Sequence, residues 1–145
     1  MLDESKQASF LHDLVVVPVV LDEEGKVLLQ ASGAHYAWML PSISLQGFVH
    51  PVQAAQSLTR TDFSANFIYH DYIGTYADKY SLREVGSQPR HIVAIALLGM
   101  LDAEASSVES VGIRFHAPWQ MPPISERVYL DILTDCFAGR RGVLR

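Results

Sequence analysis

The first third of the chain alternates short apolar segments with polar turns. Residues 14–21 form a short β-branched run, which predicts a buried strand. Pro18 has no backbone N–H, which indicates a bulge or a sheet edge within this strand. Residues 22–26 predict a turn in which Gly25 takes a positive φ. Residues 27–30 then return as the second strand of a hairpin.

Two segments have the apolar spacing of a helix that packs on one face. Residues 51–63 begin with Pro51, which suits the first position of a helix. The predicted buried face of this helix carries Val52, Ala55, Thr59 and Phe63. Residues 125–138 have apolar side chains at i, i+3, i+4, i+7 and i+8. Ser125 is the predicted N-cap of this last helix, and Gly139 is a suitable residue to end it.

The remaining apolar segments predict strands. Residues 67–76 are aromatic and β-prone, residues 91–101 have the continuous apolar character of a central strand, and residues 111–116 form a short strand. Residues 78–90 and 118–123 predict loops. A hairpin, a helix, several strands and a last helix together predict an α+β fold or a mixed sandwich, in a single domain covering residues 1–145.

Composition and charge narrow the classes of function. Of the 145 residues, 49% are hydrophobic and 19% are charged, which is typical of a globular domain without a disordered tract. The net charge is −5, and basic residues cluster only at Arg140, Arg141 and Arg145. This balance argues against a nucleic-acid partner, while it allows a small phosphate-containing ligand.

The same features predict a cytoplasmic protein. The chain begins with acidic rather than basic residues, unlike a secretory signal, and residues 14–21 are too few to span a bilayer. No membrane partner is therefore expected. Cys136 is the single cysteine, so it cannot form an intramolecular disulfide, as expected in a reducing compartment. Its place on the apolar face of the last helix predicts a buried, inert thiol.

Residues 40–64 resemble the Nudix box, whose pattern is L-P-G-G, a variable stretch, G-E, and then A-A-x-R-E-L-x-E-E-x-G. The matching positions are Trp38, just before the box, then Leu40, Pro41, Pro51, Ala54 and Ala55. The preceding hairpin, the following strand, and the closing strand, proline loop and helix also agree with the family. The resemblance implies the Nudix (MutT-like) fold, an α/β/α sandwich with a mixed β-sheet, a box helix and a C-terminal helix.

The polar positions of the box are the ones that differ from the pattern. The substitutes are Ser42 and Ile43 for the paired glycines, Phe48 and Val49 for the glycine-glutamate pair, Ser57 and Leu58 for the arginine-glutamate pair, Thr61 and Asp62 for the last glutamates, and Ser64 for the closing glycine. The box arginine and its glutamate partner are missing together. This indicates a repacked site, since a charged side chain left without its partner in a buried site is costly.

The lost carboxylates bear directly on the family's chemistry. In the family, three carboxylates at helix positions i, i+3 and i+4 hold divalent cations that bridge phosphate oxygens and help position a water. Here the same face carries Leu58, Thr61 and Asp62. If the chain is active, the resemblance implies Mg²⁺ or Mn²⁺, with Asp62 and backbone carbonyls near Ser42 as metal ligands. Asp62 and Glu84 are then the candidate catalytic acids, and the alternative for each is an ordinary solvated charge.

Aromatic residues are the candidates for substrate binding. In the Nudix fold Trp38, Phe48 and Trp119 would lie near the ligand cleft, where aromatic rings can stack on a nucleobase. The alternative for Trp38 and Phe48 is a place in the core. The six histidines show no H-x-x-x-H or H-E-x-x-H spacing, so no helical zinc site is predicted.

Three functions remain open from the sequence. The first is a pseudoenzyme that binds a nucleotide-like or other small phosphate-containing ligand without hydrolysing it by the family's route. The second is an active, divergent hydrolase that cleaves a nucleoside diphosphate linked to another group. The third is a homodimeric interaction module, whose isologous interface would use exposed aromatic residues and the helix face that bears Leu58.

Overall fold

A mixed β-sheet with a helix on each face forms the centre of the molecule. The computed structural model describes residues 12–33, 36–47, 49–82 and 88–145. Its elements are β1 (Asp13–Val20), β2 (Val27–Ala31), β3 (Trp38–Met39), β4 (Ile43–Ser44), α1 (Pro51–Phe63), β5 (Phe67–Tyr76), β6 (Ser81–Leu82), β7 (Arg90–Leu101), α2 (Ala105–Val108), β8 (Ile113–His116), a 3₁₀ turn (Pro118–Gln120), α3 (Arg127–Phe137) and β9 (Val143–Leu144). Within these ranges no helix has the length and apolar character needed to cross a membrane.

The main sheet contains both parallel and antiparallel pairs. Its strands lie in the order β4, β1, β7, β5 and β9, and β6 pairs with β7. β1 and β7 run parallel, with Asp13 opposite Ile92 and Val20 opposite Gly99. β5 is antiparallel to β7, with two register shifts. β3, β2 and β8 form a second, three-stranded sheet.

The two faces of β1 belong to different core clusters. Val15, Val17 and Val19 pack in the cluster that contains the buried side chains of α3. Val16 and Val20 pack in the cluster that contains those of α1. Because side chains alternate between the faces of a strand, α1 and α3 lie on opposite sides of the sheet. The predicted α+β sandwich, with a mixed sheet, a box helix and a C-terminal helix, is confirmed.

Helix α1 spans the residues that the sequence predicts. Pro51 lies in its first turn, and Nδ1 of His50 accepts a hydrogen bond of 3.1 Å from the N–H of Val52, which caps the helix. The buried residues are Ala54, Ala55, Leu58, Thr59 and Phe63. The predicted apolar face is therefore correct in its centre, and it extends further around the helix to include Leu58.

The last helix begins at Arg127, so its N-cap lies one residue after the predicted one. Its N-cap is Glu126, and no side chain caps it, so the predicted N-cap role of Ser125 is wrong. The N–H of Ser125 donates instead to the carbonyl of Trp38 at 2.9 Å. This bond ties the segment before α3 to β3 and keeps it extended past the predicted start of the helix.

Pro18 lies where the sheet has an edge, as the sequence predicts. The carbonyl of Leu14 accepts a hydrogen bond from Leu45 on the β4 side of β1. Backbone groups of every second residue in a strand point the same way, so the nitrogen of Pro18 also faces that side. β4 pairs only with Val15 and Val16, so Pro18 faces a position where β4 has already ended.

The segment after α3 returns to the main sheet and pairs with β5. β9 runs parallel to β5, with Val143 opposite Gly74. A Cβ atom at Gly74 would lie 2.6 Å from the carbonyl oxygen of Val143, so any side chain there would push the strands apart. Glycine is needed at this position by the close approach of the two backbones.

A buried carboxylate fixes this returning segment to α3. Asp135 has no exposed surface. It accepts a hydrogen bond from the hydroxyl of Tyr76 at 2.8 Å and pairs with Arg140 and Arg145, each at 2.9 Å. Burial opposes ionisation of Asp135, but the hydrogen bonds from Arg145, Arg140 and Tyr76 hold the pKa of this carboxyl below its ordinary value.

Candidate functional site

The loop that leads into α1 is anchored on both sides of Ser42. Leu40 is fully buried in the cluster that contains α3. Ile43 packs against the opposite cluster, which contains α1, and pairs with Val16 of the main sheet. Ser42 therefore lies between two residues that are fixed on different faces of the sheet.

The hydroxyl of Ser42 lies 3.1 Å from the hydroxyl of Tyr129 on α3. Tyr129 is 3% exposed. Burial raises the pKa of Tyr129, and the hydrogen bond with Ser42 only partly opposes this shift, so the phenol is neutral at physiological pH. Only one of the two O–H groups can lie between the two oxygens. Ser42 is half-buried, so its hydroxyl is the more accessible of the two.

The face of α1 that corresponds to the family's carboxylates is mostly apolar or neutral. Leu58 is 7% exposed, whereas Thr61 and Asp62 are exposed in the last turns of the helix. Asp62 is the single carboxylate on α1. The structure therefore places Asp62 in solvent, one helical turn beyond a buried leucine.

The donor set at this face does not fit the divalent-cation site that the resemblance implies. Mg²⁺ requires several oxygen ligands in a near-octahedral arrangement. Here Leu58 offers carbon atoms, and Asp62 is the one carboxylate on this helix, with only the backbone carbonyls near Ser42 predicted to join it. Among the residues that the structure describes, no group of three or more His, Cys, Asp or Glu side chains is placed to hold a metal ion. Glu84, the second candidate acid, lies outside the described ranges.

Ser64 keeps the backbone conformation that a closing glycine would adopt. It follows the last residue of α1 with φ 54° and ψ 36°, which is left-handed, and its N–H donates to the carbonyl of Thr59. This region is strained for a residue with a Cβ atom and easy for glycine. The end of the box helix thus retains its shape although the glycine is gone.

Trp38 is held in place by main-chain and ring contacts. Its N–H donates to the carbonyl of Pro123 at 2.8 Å. The indole meets the ring of His116 edge to face, with centroids 4.7 Å apart. Burial lowers the pKa of His116, which favours the neutral ring beside the indole. Trp38 is half-buried and also packs against the cluster that contains α3, in line with the core alternative.

The other aromatic candidates differ in accessibility. Trp119 lies on the 3₁₀ turn and is 76% exposed. Tyr36 is 96% exposed and has a positive φ. Phe48 lies outside the described part of the chain. Of the three predicted binding residues, Trp119 is therefore the one whose ring the structure shows to be exposed.

The sequence pattern does not identify Tyr129 as a polar residue of this site. Its spacing places it on the apolar face of the last helix, and its ring is indeed buried there. Its hydroxyl reaches Ser42, which lies 87 positions earlier in the chain. The signal in the sequence is a tyrosine, which carries a polar hydroxyl, on the otherwise apolar face of the last helix.

Comparison with known proteins gives structural likenesses but no sequence match. No family model and no curated protein matches this chain. A NUDIX hydrolase from Nitrosomonas europaea is similar with a TM-score of 0.67 and 19% identity, covering 93% of this chain and 78% of that one. A UDP-X diphosphatase has a TM-score of 0.68 and 14% identity, covering 99% and 75%. An ADP-ribose pyrophosphatase from Streptococcus suis has a TM-score of 0.66 and 12% identity, covering 93% and 98%.

These likenesses cover nearly the whole chain and agree with the order of its elements. The strands β1 and β2, the helix α1 and the closing helix α3 occur in the order that the family resemblance implies. β1 and β2 belong to different sheets and are joined by a single bridge between Leu21 and Val27, so the predicted hairpin does not extend beyond its turn. The chain therefore has the fold of the Nudix hydrolases.

Proposed function

We propose that this protein binds a small phosphate-containing ligand and does not hydrolyse it through the family's carboxylate-held metal. The observation that carries the proposal is the burial of Leu58, which is 7% exposed at a position where the family has a metal-binding glutamate. Leu58 packs in the interior as an apolar side chain. A carboxylate at the same position would be a buried charge, which is energetically costly.

The neighbouring substitutions point the same way. The arginine position of the box is Ser57 and the earlier glutamate position is Val49, so two more charged side chains are missing. Both residues are exposed, so the cost of an unpaired buried charge does not explain their joint loss. Asp62 would have to hold a hydrated divalent cation without another box carboxylate, and one carboxylate is a weak ligand set for Mg²⁺. Metal-dependent attack by water is therefore not expected.

The hydroxyls of Ser42 and Tyr129 support the binding half of the proposal. Both are neutral donors and acceptors at the opening of the box loop, and phosphate oxygens accept hydrogen bonds from such groups. Arg90 and Glu126 act on negative charge at Tyr129 in opposite directions, Glu126 more strongly, and Arg90 is itself paired with Asp13 at 3.1 Å. The binding half of the proposal therefore rests on hydroxyl donors and not on a nearby cation.

The structural relatives suggest the class of ligand. Two of them, a UDP-X diphosphatase and an ADP-ribose pyrophosphatase, are named for nucleoside diphosphates linked to another group. We extend that class to this chain as its candidate ligand. The exposed ring of Trp119 would then stack on the base.

Calorimetric titration tests binding, and product analysis tests turnover. The wild-type chain would be titrated with ADP-ribose, a UDP-sugar, ATP and inorganic phosphate, and then incubated with each nucleotide and Mg²⁺ or Mn²⁺. We expect saturable binding of at least one nucleotide, weakened in Tyr129→Phe, and no metal-dependent product. Absence of binding by every probe would overturn the binding half of the proposal.

An active, divergent hydrolase is the alternative outcome. It would be established by metal-dependent turnover that is lost in Asp62→Asn and kept in Glu23→Gln, a matched control that removes another exposed carboxylate. Leu58→Glu is informative only if circular dichroism shows that the variant is folded, because the new carboxylate would be buried.

The homodimer stays a prediction, and one of the two surfaces predicted for its interface is buried. Leu58 is buried within the single chain, so the helix face that bears it is not available to a second copy. The exposed aromatic residues of the described ranges are Tyr36, Tyr69, Trp119 and Phe137, of which Tyr36 and Trp119 are the most exposed. Sedimentation equilibrium of the wild-type chain and of Trp119→Ala would measure whether these rings support association.

A further inference from the structure

Two exposed histidines meet where β1 and β7 begin. Asp13 lies opposite Ile92 in the parallel pair, so His12 and His91 occupy the preceding positions of the two segments. Their ring centroids are 5.9 Å apart, and the ring planes are inclined by 58°. Both residues are exposed. The spacing of histidines along the sequence gives no sign of this pair, which is created by the pairing of two distant strands.

The histidine pair opens on the side of the sheet that carries α1. Along β7, Ile92 and Ala94 belong to the cluster of α3. Ile95 packs against the cluster of α1. Since side chains alternate along a strand, His91 shares the face of Ile95. His12, which contacts His91, lies on the same face.

The two charged side chains beside the histidine pair offset each other, and the net charge of the whole chain is negative. Nε of Arg90 lies 3.1 Å from a carboxylate oxygen of Asp13, so these two neighbouring charges offset each other. The whole chain has a net charge of −5, which attracts cations at long range. Cys136 does not compete as a ligand, because it is 5% exposed and burial raises the pKa of its thiol.

We propose that His12 and His91 form a two-histidine binding site for a first-row transition ion such as Zn²⁺. Neutral imidazole nitrogen is a preferred ligand for Zn²⁺, Ni²⁺ and Cu²⁺, whereas Mg²⁺ prefers oxygen. With Zn–N bonds of about 2.0–2.1 Å and a tetrahedral angle, the two ring centroids would lie roughly 5 Å apart. The observed 5.9 Å therefore needs a small side-chain rotation, which exposed residues can make.

Water completes the coordination shell in this proposal. No third His, Cys, Asp or Glu joins the pair within the described ranges, so the site is expected to be weaker than a structural zinc site. Water ligands are exchangeable, so the bound ion would keep open positions on the side of the sheet that carries α1.

The test is a Zn²⁺ titration of the full chain without a polyhistidine tag, followed by calorimetry and by NMR of the imidazole resonances. We expect one ion per chain, with the largest shifts at His12 and His91. His12→Asn and His91→Asn should each lower the affinity by about tenfold or more, since loss of a supporting partner alone costs about that much. His70→Asn, another exposed strand histidine, is the matched control and should leave the affinity unchanged.

Several results would overturn the proposal. These are the absence of Zn²⁺ binding, unchanged affinity in both pair variants, shifts centred on other histidines, or equal binding of Mg²⁺ in place of Zn²⁺. Both pair residues are exposed, so their variants are expected to fold, and circular dichroism would confirm this. The site shares no residue with Ser42, Tyr129 or Asp62, so its failure and the failure of the proposed function are separate results.

Discussion

The hydroxyl of Tyr76 donates a 2.8 Å hydrogen bond to Asp135, joining the end of β5 to a carboxylate that has no exposed surface. Burial and the bond to Asp135 both raise the pKa of Tyr76 well above its ordinary value. The same carboxylate also binds Arg140 and Arg145. One side chain thus connects the sheet, α3 and the residues on both sides of β9.

Asp135→Ala is expected to lower the free energy of unfolding by about 1–3 kcal/mol, because it leaves the buried hydroxyl of Tyr76 without an acceptor. Chemical denaturation with urea would measure the change. Asp71→Ala is the control, since Asp71 is exposed and pairs with Arg141 at 3.4 Å. That variant should lose less than about 1 kcal/mol. Equal losses in the two variants would contradict the role assigned to Asp135.

Ionisation of Tyr80 is expected to lower the free energy of unfolding at alkaline pH. Burial, together with a 2.8 Å hydrogen bond to Asp131, raises the pKa of Tyr80 to about 12 from 10.0. The folded state therefore favours the neutral phenol, and this contribution to stability is complete below pH 10 and is lost as pH rises through 12. Tyr80→Phe should show a smaller loss of unfolding free energy across that interval. Identical pH profiles for both proteins would refute this account.

His50 is an unusual N-cap, and its replacement should show a clear order of stability. His50→Ala removes the acceptor for the N–H of Val52 and should cost about 1 kcal/mol. His50→Asp restores an acceptor and adds a negative charge at the helix N-terminus, so it should be at least as stable as the wild type. Thermal unfolding of the three proteins would test the order. A less stable His50→Asp than His50→Ala would argue against capping by this side chain.

Ser64→Gly should stabilise the protein. The left-handed conformation is roughly 1–2 kcal/mol unfavourable for a residue with a Cβ atom, and the flexibility of glycine in the unfolded chain offsets part of that gain. A net increase of about 0.5–1 kcal/mol in the free energy of unfolding is expected. Ser57→Gly, within the same helix and exposed, should instead lose about 0.5 kcal/mol. Destabilisation by both substitutions would show that the αL position is not strained.

The long elements of this fold were predictable because their period repeats many times. β5 and α1 occupy the residues that the sequence predicts, and the central strand begins one residue early, at Arg90. The two-residue strands Trp38–Met39, Ile43–Ser44, Ser81–Leu82 and Val143–Leu144 were not predicted. Two residues contain no period to detect, and such strands are defined by their pairing, as Trp38–Met39 is by β2 and Ser81–Leu82 by β7.

The sequence shows which carboxylates are missing from the candidate site. It does not show how deeply the replacing side chains are buried or which residues they contact. Comparison of residues 40–64 with the family's pattern shows which carboxylates are missing. The depth of Leu58 does not follow from that comparison, because burial depends on how α1 is turned against the sheet. The bond between Ser42 and Tyr129 and the contact between His12 and His91 join residues far apart in the chain, so no local pattern encodes them.

The parallel pairing of β1 with β7 has a consequence for the order in which the protein is made. Val15–Val20 of β1 leave the ribosome well before their parallel partners, which extend to Gly99. At roughly 5–20 residues per second, the two strands are translated on the order of 4–16 s apart. During that time an apolar strand, fully buried in the finished protein, has an open edge. The nascent chain, rather than the folded one, is therefore the form of this protein most exposed to aggregation and most dependent on chaperones.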